Sequence, residues 1–439
     1  MKAVKCNEEE LKDSGIEWIG KYPKNWDIYP ANGVFNEVKN KNTSLDYTNQ
    51  FSFRYGEIVD KNIQGNLDDK LKDTISAYNI VMPDTIMING LNLNYDFISQ
   101  RVAIIKTPGI ITSAYLALYP DKQRVCPQFA VYLFKAYDFQ QVFHGMGSGI
   151  RKTLSFQNFK NIFVVAPQLD EQERIANYLD DRCSKIDAII AEAKASIGEY
   201  QELKQAVIYE AITKGLDKSI PMKYSGNIHI KDIPLNWNLV NLKYLLTDIV
   251  DCPHETPNYE VDGSFYVIRT ADEDLGFLRS DDNMYRLNEE EYKNRIRRLS
   301  LNKDDIVYGR EGERWGLACL VPENDKYCLG QRMMQFRCDT KIVEPRFLMW
   351  ALNSQGTRMQ GVVDTIGSTS PHVNISTIRN FQIPCPSIEE QRKIAKYIDD
   401  RTFNIDSIIS EKQSLIADLE AYKKSLIYEV VTGKRKVVA

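Results

Sequence analysis

The sequence predicts an α+β protein: two globular domains separated by two long, mutually antiparallel coiled-coil helices, with an internal pseudo-two-fold duplication. Three observations predict it. The chain has 439 residues, too many for one ordinary core. One 43-residue segment occurs twice. The stretch before each copy is rich in short strand-like runs with some helix between them, the pattern of a mixed globule.

The duplicated segments are Glu171 to Thr213 and Glu390 to Thr432, identical at 19 of 43 positions without a gap. An upstream match accompanies them. Ser14-Gly15 and Pro23-Lys24-Asn25-Trp26 return 211 residues later as Ser225-Gly226 and Pro234-Leu235-Asn236-Trp237. Each half therefore opens and closes alike. Between these bookends the halves diverge, apart from the echoes Gly147-Ser148 against Gly367-Ser368 and Asn161 to Pro167 against Asn380 to Pro386.

The repeated segment reads as helix. In the first copy Ile175, Leu179, Arg182, Ile186, Ile189, Ala193, Ile197, Tyr200, Leu203, Val207 and Ala211 step by three and four residues, with Arg182 the one charged interruption. The second copy repeats the stripe through Ile394, Ile398, Arg401, Ile405, Ile408, Leu415, Leu419, Tyr422, Leu426 and Val430, broken also at Lys412. Asp170 and Ser387 lie at the starts, acidic residues fill the first turns, and Gly215 and Gly433 are placed to cap the ends. A helix of this length spans roughly 65 Å, longer than a small domain is wide, which suits a spacer. One such helix would serve core packing or homodimerisation equally well; two equal copies favour pairing with each other. The expected domains are 1–169, a first globule; 170–214, the central helix; 215–388, a second globule; and 389–439, the distal helix with a basic tail.

Within the globules, Tyr78–Met82, Ile86–Ile88, Val102–Lys106, Tyr266–Arg269, Asp305–Tyr308 and Gln335–Arg337 are the expected strands. Loops beside them are dense in side chains that suit base edges, since Asn and Gln pair bidentately with adenine and Arg with guanine. In the first globule these are Asn89, Asn92, Asn94 and Arg101; in the second, Arg310, Arg314, Gln331 and Arg332. Each loop also reads as a solvated turn built from Asn and Gly. The echoed stretch adds Ser148, Arg151 and Lys152 on one side and Ser368, Thr369 and His372 on the other, where glycines let backbone approach a phosphate and the side chains can donate to it. The first globule carries 15 Lys and 4 Arg, the second 8 Lys and 13 Arg, which points to more guanine reading by the second.

The formal net charge of −4 counts mildly against nucleic acid, and no segment is strongly basic: +1 for 1–170, −3 for 171–214, −4 for 215–389 and +2 for 390–439. Binding to DNA must then come from local patches or be shared with partners. The eight cysteines show no C-x-x-C spacing and the four histidines no metal-pair spacing, so neither a metal nor a disulfide is expected. Cys252-Pro253-His254 reads as a loop. With no long apolar run and no apolar leader, the expected location is the cytoplasm. No phosphate-cradling G-x-x-x-x-G-K-S/T is present, because Thr432-Gly433-Lys434 lacks its upstream glycine. Neither a Pro-Pro-aromatic methyltransferase motif nor a nuclease-type carboxylate pair stands out, and Glu192-Ala193-Lys194 falls mid-helix. No catalytic residue is expected.

The two halves lead into their helices as Pro167-Gln-Leu-Asp-Glu171-Gln172-Glu-Arg-Ile175 and Pro386-Ser-Ile-Glu-Glu390-Gln391-Arg-Lys-Ile394, and the first opens as Ser14-Gly-Ile-Glu-Trp18-Ile-Gly-Lys-Tyr-Pro23-Lys-Asn-Trp26. In the second opening His229 stands where Trp18 would, while Trp237 remains. Over its whole length the chain closely resembles the specificity subunits of type I restriction-modification enzymes. That resemblance implies that each globule is a target-recognition domain reading one half of a split, asymmetric site in double-stranded DNA, with the helices setting the spacing. It also implies two methyltransferase subunits using S-adenosylmethionine, and restriction subunits using ATP and Mg to translocate and cleave DNA. The rival readings are a coiled-coil adaptor whose globules bind proteins, and a recognition module for a stand-alone adenine methyltransferase.

Overall fold

The computed structural model describes residues 1–61, 69–97, 100–150, 152–365 and 371–438. They form two compact units, Met1–Ala193 together with Gln413–Ala439, and Lys194–Lys412.

The first unit is built on an antiparallel four-stranded sheet in the order Val102–Ile104, Ile86–Ile88, Leu116–Pro120, Phe35–Glu37. Ile86, Met87 and Ile88 are all buried, so this strand is apolar on both faces rather than alternating. A helix, Pro127–Phe139, begins with proline at its first turn, where the missing N–H costs nothing, and buries Phe129, Leu133, Phe134 and Tyr137.

The second unit repeats the plan with different contents. Its four-stranded antiparallel sheet runs Leu246–Asp251, Met333–Cys338, Ile306–Gly309, Ala318–Leu320, and its helix Pro345–Asn353 also begins with proline. A further three-stranded sheet, Tyr285–Leu287, Phe265–Ile268, Tyr327–Leu329, includes a parallel pairing. Each strand expected from sequence forms within one or two residues of its expected ends.

The repeated residues build the frame around these contents. Each opening folds as a hairpin, Leu11–Asp13 with Lys21–Pro23 and Met222–Tyr224 with Asp232–Pro234, so replacement of Trp18 by His229 leaves the second opening's fold intact. The next strand pairs with the one leading into the long helix: Asp27–Pro30 with Phe163–Ala166, and Asn238–Asn241 with Gln382–Cys385.

The long helices run Leu169–Lys214 and Ile388–Val431. Gly215 (φ +66°) and Gly433 (φ +74°) end them in the left-handed conformation, and a Cβ on Gly433 would lie 2.3 Å from the Pro23 ring. The helices pair antiparallel in both units. In the first, Asp187 meets Lys423 while Tyr178 lies near Arg435. In the second, Lys204 meets Asp406 and, one turn earlier, Tyr200 meets Lys412. The first unit's core takes Ile175, Leu179 and Ile186 from the start of one helix and Leu426, Ile427 and Val430 from the end of the other. The second unit's core takes Ile208 and Ile212 with Ile394 and Ile398.

The buried stripe differs in part from the one read by period. Ile189, Leu203, Leu415 and Tyr422 are exposed, while Cys183, Ile190, Lys204 and Ile208 are buried. A straight helix drifts about 20° per heptad against a 3.5-residue repeat, so the seam passes to the next residue along. Lys204 is accepted on that seam because Asp406 neutralises it.

Candidate nucleic-acid interface

Two glutamines show how the frame positions each globule. Gln172 and Gln391 are fully buried at the starts of the long helices. Gln172 Nε2 donates to the carbonyls of Arg124 and Pro167, both at 2.8 Å, while its Oε1 accepts from Cys126 N–H at 2.8 Å. Gln391 repeats this with the carbonyls of Ile342 (3.1 Å) and Pro386 (2.9 Å) and the N–H of Glu344 (2.8 Å). Both clamp the turn before the globule's own helix. About two turns further on, Asp180 accepts from Tyr132 Oη at 2.6 Å, and Asp399 accepts from Trp350 Nε1 at 2.9 Å. The Glu-Gln and Asp-Asp-Arg elements are thus joints that fix sheet and loops to a helix.

Above the joint in the first unit, the two loops singled out independently by sequence pack on one another. Leu154 N–H donates to Gly90 O, Leu93 N–H to Lys152 O, and Asn94 Nδ2 to Ile150 O. Asn89, Asn92 and Asn94 lie on the first of these loops, Ser148 and Lys152 on the second; Asn92, Ser148 and Lys152 are exposed. Arg151 lies outside the described residues. Arg101 is not on this surface: it is fully buried, and its guanidinium donates to the carbonyls of Asn89 (2.8 Å), Leu91 (2.8 Å) and Asp96 (2.6 Å). Its placement holds the asparagine loop from within. Asp138 supports it by accepting from Arg101 N–H at 2.9 Å, and burial pushes the Asp138 carboxyl up to about 6.

Sequence reasoning missed the apolar part of this surface. Tyr95, Phe97 and Ile150 are 72%, 56% and 93% exposed on the same two loops, and Phe97 stacks on His144 with centroids 5.0 Å apart. Their signal was their position, large apolar side chains inside an asparagine- and glycine-rich stretch. Such groups suit the methyl of thymine and the flat faces of bases.

In the second unit three separate candidate segments converge on Glu311. Arg310 N–H donates to Arg332 O at 2.9 Å, Gly312 N–H to Pro371 O at 2.8 Å, and Val373 N–H to Arg310 O at 3.2 Å. The Glu311 carboxylate accepts from Arg310 Nη2 at 2.6 Å on Oε1, where His372 Nδ1 also lies 3.1 Å away, and faces Arg332 Nε at 4.0 Å on Oε2. Arg310 is buried, with Asp251 Oδ1 3.6 Å from its Nε, so it braces this cluster from below. Arg332 and His372 reach the surface. Gln331 Nε2 is tied to Thr256 Oγ1 at 3.1 Å, and Arg314 Nη2 donates to Glu273 O. Glu273 is wholly buried, and its carboxyl is raised well above the usual range by burial. Ser368 and Thr369 lie outside the described residues.

Each unit thus presents a mouth made from the loop after a central sheet strand and the loop before the long helix. Among the described residues no cluster of His, Cys, Asp or Glu has the form of a metal site, and no helix is long and apolar enough to cross a membrane. One repeated frame carrying two unlike mouths defines a duplicated, two-headed recognition protein.

Residues 257–417 match the family described as type I restriction modification DNA specificity domain. The chain is 23% identical over 424 residues to the type I restriction enzyme MjaVIII specificity subunit of Methanocaldococcus jannaschii, covering 94% of each. It is 22% identical over 293 residues to the EcoBI specificity subunit of Escherichia coli, covering 64% of this chain and 60% of that one. Among solved structures it resembles the HsdS subunit of Thermoanaerobacter tengcongensis at a TM-score of 0.53 and 16% identity, covering 94% of this chain and 98% of that one. A chain solved in work on complex assembly of the type I R-M system gives a TM-score of 0.67 at 15% identity, covering 94% and 99%. Residues 257–417 thus match a type I restriction modification DNA specificity domain, and over nearly its whole length the chain is similar to type I restriction enzyme specificity subunits.

Proposed function

We propose that this chain is the non-catalytic DNA-recognition subunit of a type I restriction-modification complex, each globule reading one half of a bipartite, asymmetric site in double-stranded DNA. The observation that carries this is the repeated frame: the same joints hold two mouths whose side chains differ, which is what reading two different half-sites requires. The helices set the spacing between half-sites, and their repeated faces dock two equivalent methyltransferase subunits. Methyl transfer from S-adenosylmethionine, and ATP- and Mg-dependent translocation and cleavage by restriction subunits, belong to those partners in the cytoplasm. The acidic net charge fits a division of labour in which partners supply much of the phosphate contact.

The test is reconstitution of the full chain with its methyltransferase subunits, followed by footprinting and single-molecule mapping of methylated adenines. The expected result is protection of a bipartite site, with affinity falling steeply as salt rises and much weaker binding by the chain alone. A complex that protects no bipartite site refutes the proposal in favour of a protein-binding adaptor.

A further inference from the structure

We infer that Glu311 and Arg332 together read one G·C base pair in the second globule's half-site. The carboxylate accepts from the cytosine N4 amino group, and the guanidinium donates to guanine O6 and N7. This rests on the DNA-reading function proposed above and assigns a base pair to two residues of that site.

A carboxylate in a mouth that faces DNA is unfavourable for phosphate binding, because it repels the backbone that supplies most of the affinity. What it offers is acceptor-only recognition, a property no neutral side chain has. In the major groove cytosine displays an amino donor where guanine displays two acceptors, so an acceptor beside a forked donor matches both bases of one pair. Glu311 and Arg332 are such a neighbouring pair.

The geometry is held for this use. Oε1 of Glu311 accepts from Arg310 Nη2 at 2.6 Å, and His372 Nδ1 from a second segment lies 3.1 Å from the same oxygen, so the carboxylate is held by its neighbour and crowded from one side. Oε2 faces Arg332 Nε at 4.0 Å, beyond hydrogen-bond reach, so the two are neighbours without being locked together. Arg310 is 5% exposed and already has Asp251 beside it, so the Glu311 charge is not needed merely to neutralise a buried cation.

Arg332 carries the second mark. Its side chain is 56% exposed, yet its backbone sits at φ +70°, a conformation that costs a non-glycine residue energy. The strain is sustained by Arg310 N–H on the Arg332 carbonyl at 2.9 Å and by the anchoring of Gln331 to Thr256 at 3.1 Å. The guanidinium that results stands over Gly312, whose Cβ position is 3.7 Å from Nη1, alongside the carboxylate.

The test uses the reconstituted complex of full chain and methyltransferase in a host without adenine methylation, comparing the wild type with E311Q and R332K by single-molecule methylation mapping. Glu311→Gln keeps the size of the side chain and an oxygen for Arg310, and Arg332→Lys keeps the charge while losing the fork. The expected result is a G·C pair in one half-site whose selectivity falls about 5- to 150-fold in each variant, with the other half-site read as before. A wild-type motif with no G·C pair in the half-site assigned to this globule overturns the inference, as do variants that keep full selectivity at every position. In both of those results the bipartite motif itself survives, whereas a wild-type complex that methylates no bipartite motif overturns the proposed function as well.

Discussion

Replacing Gln391 with alanine tests the claim that the repeated Glu-Gln element is a structural joint rather than part of the DNA surface. The amide is fully buried and makes three hydrogen bonds to the backbone, two to carbonyls and one from an N–H, besides a weak one from Nε2 to Cys385 Sγ at 3.7 Å. Each such bond contributes about 0.5–1.5 kcal/mol net, but a buried partner left unsatisfied costs about 1–3 kcal/mol. With water entering to satisfy part of what is exposed, Gln391→Ala is expected to destabilise the second unit by about 3–5 kcal/mol. Gln172→Ala, with the same three bonds, should cost the first unit a similar amount. Gln391→Glu is the sharper variant, because a carboxylate there would face the carbonyls of Ile342 and Pro386. Burial would raise its folded pKa above the unfolded value of roughly 4.3, so its stability is greatest in acid and falls as pH rises through the folded pKa. Urea denaturation followed by tryptophan fluorescence at pH 5 and pH 8 measures both effects. A loss below about 1 kcal/mol for either alanine variant would refute the joint.

The paired helices make a graded prediction. Lys204 is 9% exposed against Asp406 at 39%, while its duplicate pair Lys423 and Asp187 is 26% and 56% exposed. Asp406→Ala strands a nearly buried ammonium and should cost about 2–3 kcal/mol, while Asp187→Ala leaves a wetter one and should cost about 1 kcal/mol or less; equal losses in denaturation curves would contradict this ranking. Asp138 gives a pH effect. Its pKa is raised to about 6, so the neutral form stabilises the first unit fully below the unfolded value of roughly 3.9, and that contribution is lost as pH climbs through 6. Asp138→Asn, neutral throughout, should flatten this dependence and gain about 2 kcal/mol at pH 7.5 relative to pH 4, short of the ~3 kcal/mol of a full two-unit shift because at pH 4 about half of the unfolded carboxyl is already ionised. Identical pH profiles for variant and wild type would sink it. Gly433→Ala combines a positive φ with a Cβ 2.3 Å from Pro23, and is expected to lower the first unit's thermal midpoint by several degrees; an unchanged midpoint would show that the contact yields freely.

The frame was legible in the sequence because it is written twice. Repetition marked the helices, their caps, the openings and the strands that lead into them, and each formed where expected. The seam of the helices was only partly legible, because a period counts apolar residues and cannot foresee that a lysine will be buried against an aspartate 202 positions away. The correspondence between Cys126-Pro127 and Glu344-Pro345 consists of the proline alone, yet it marks the turn that each buried glutamine clamps.

The mouths were less legible, for a physical reason. Composition identifies side chains able to touch a base, but solvent access depends on what packs around them. Arg101 and Asn92 are neighbours in sequence and equally suited to bases, yet one is sealed beneath the loop that carries the other. The same division recurs in the second unit, where Arg310 is inside and Arg332 outside. In each mouth a buried arginine braces an exposed candidate for base contact, Arg101 beneath Asn92 and Arg310 beneath Arg332, so each surface rests on one arginine that serves rigidity. Rigid presentation matters to a reader more than to a simple binder: discrimination between bases requires that the wrong base leave a donor or acceptor unmatched, and a loop free to adjust would repair the mismatch. On the function proposed above, the positive φ at Arg332 and the carbonyl cage around Arg101 would be two means to that single end.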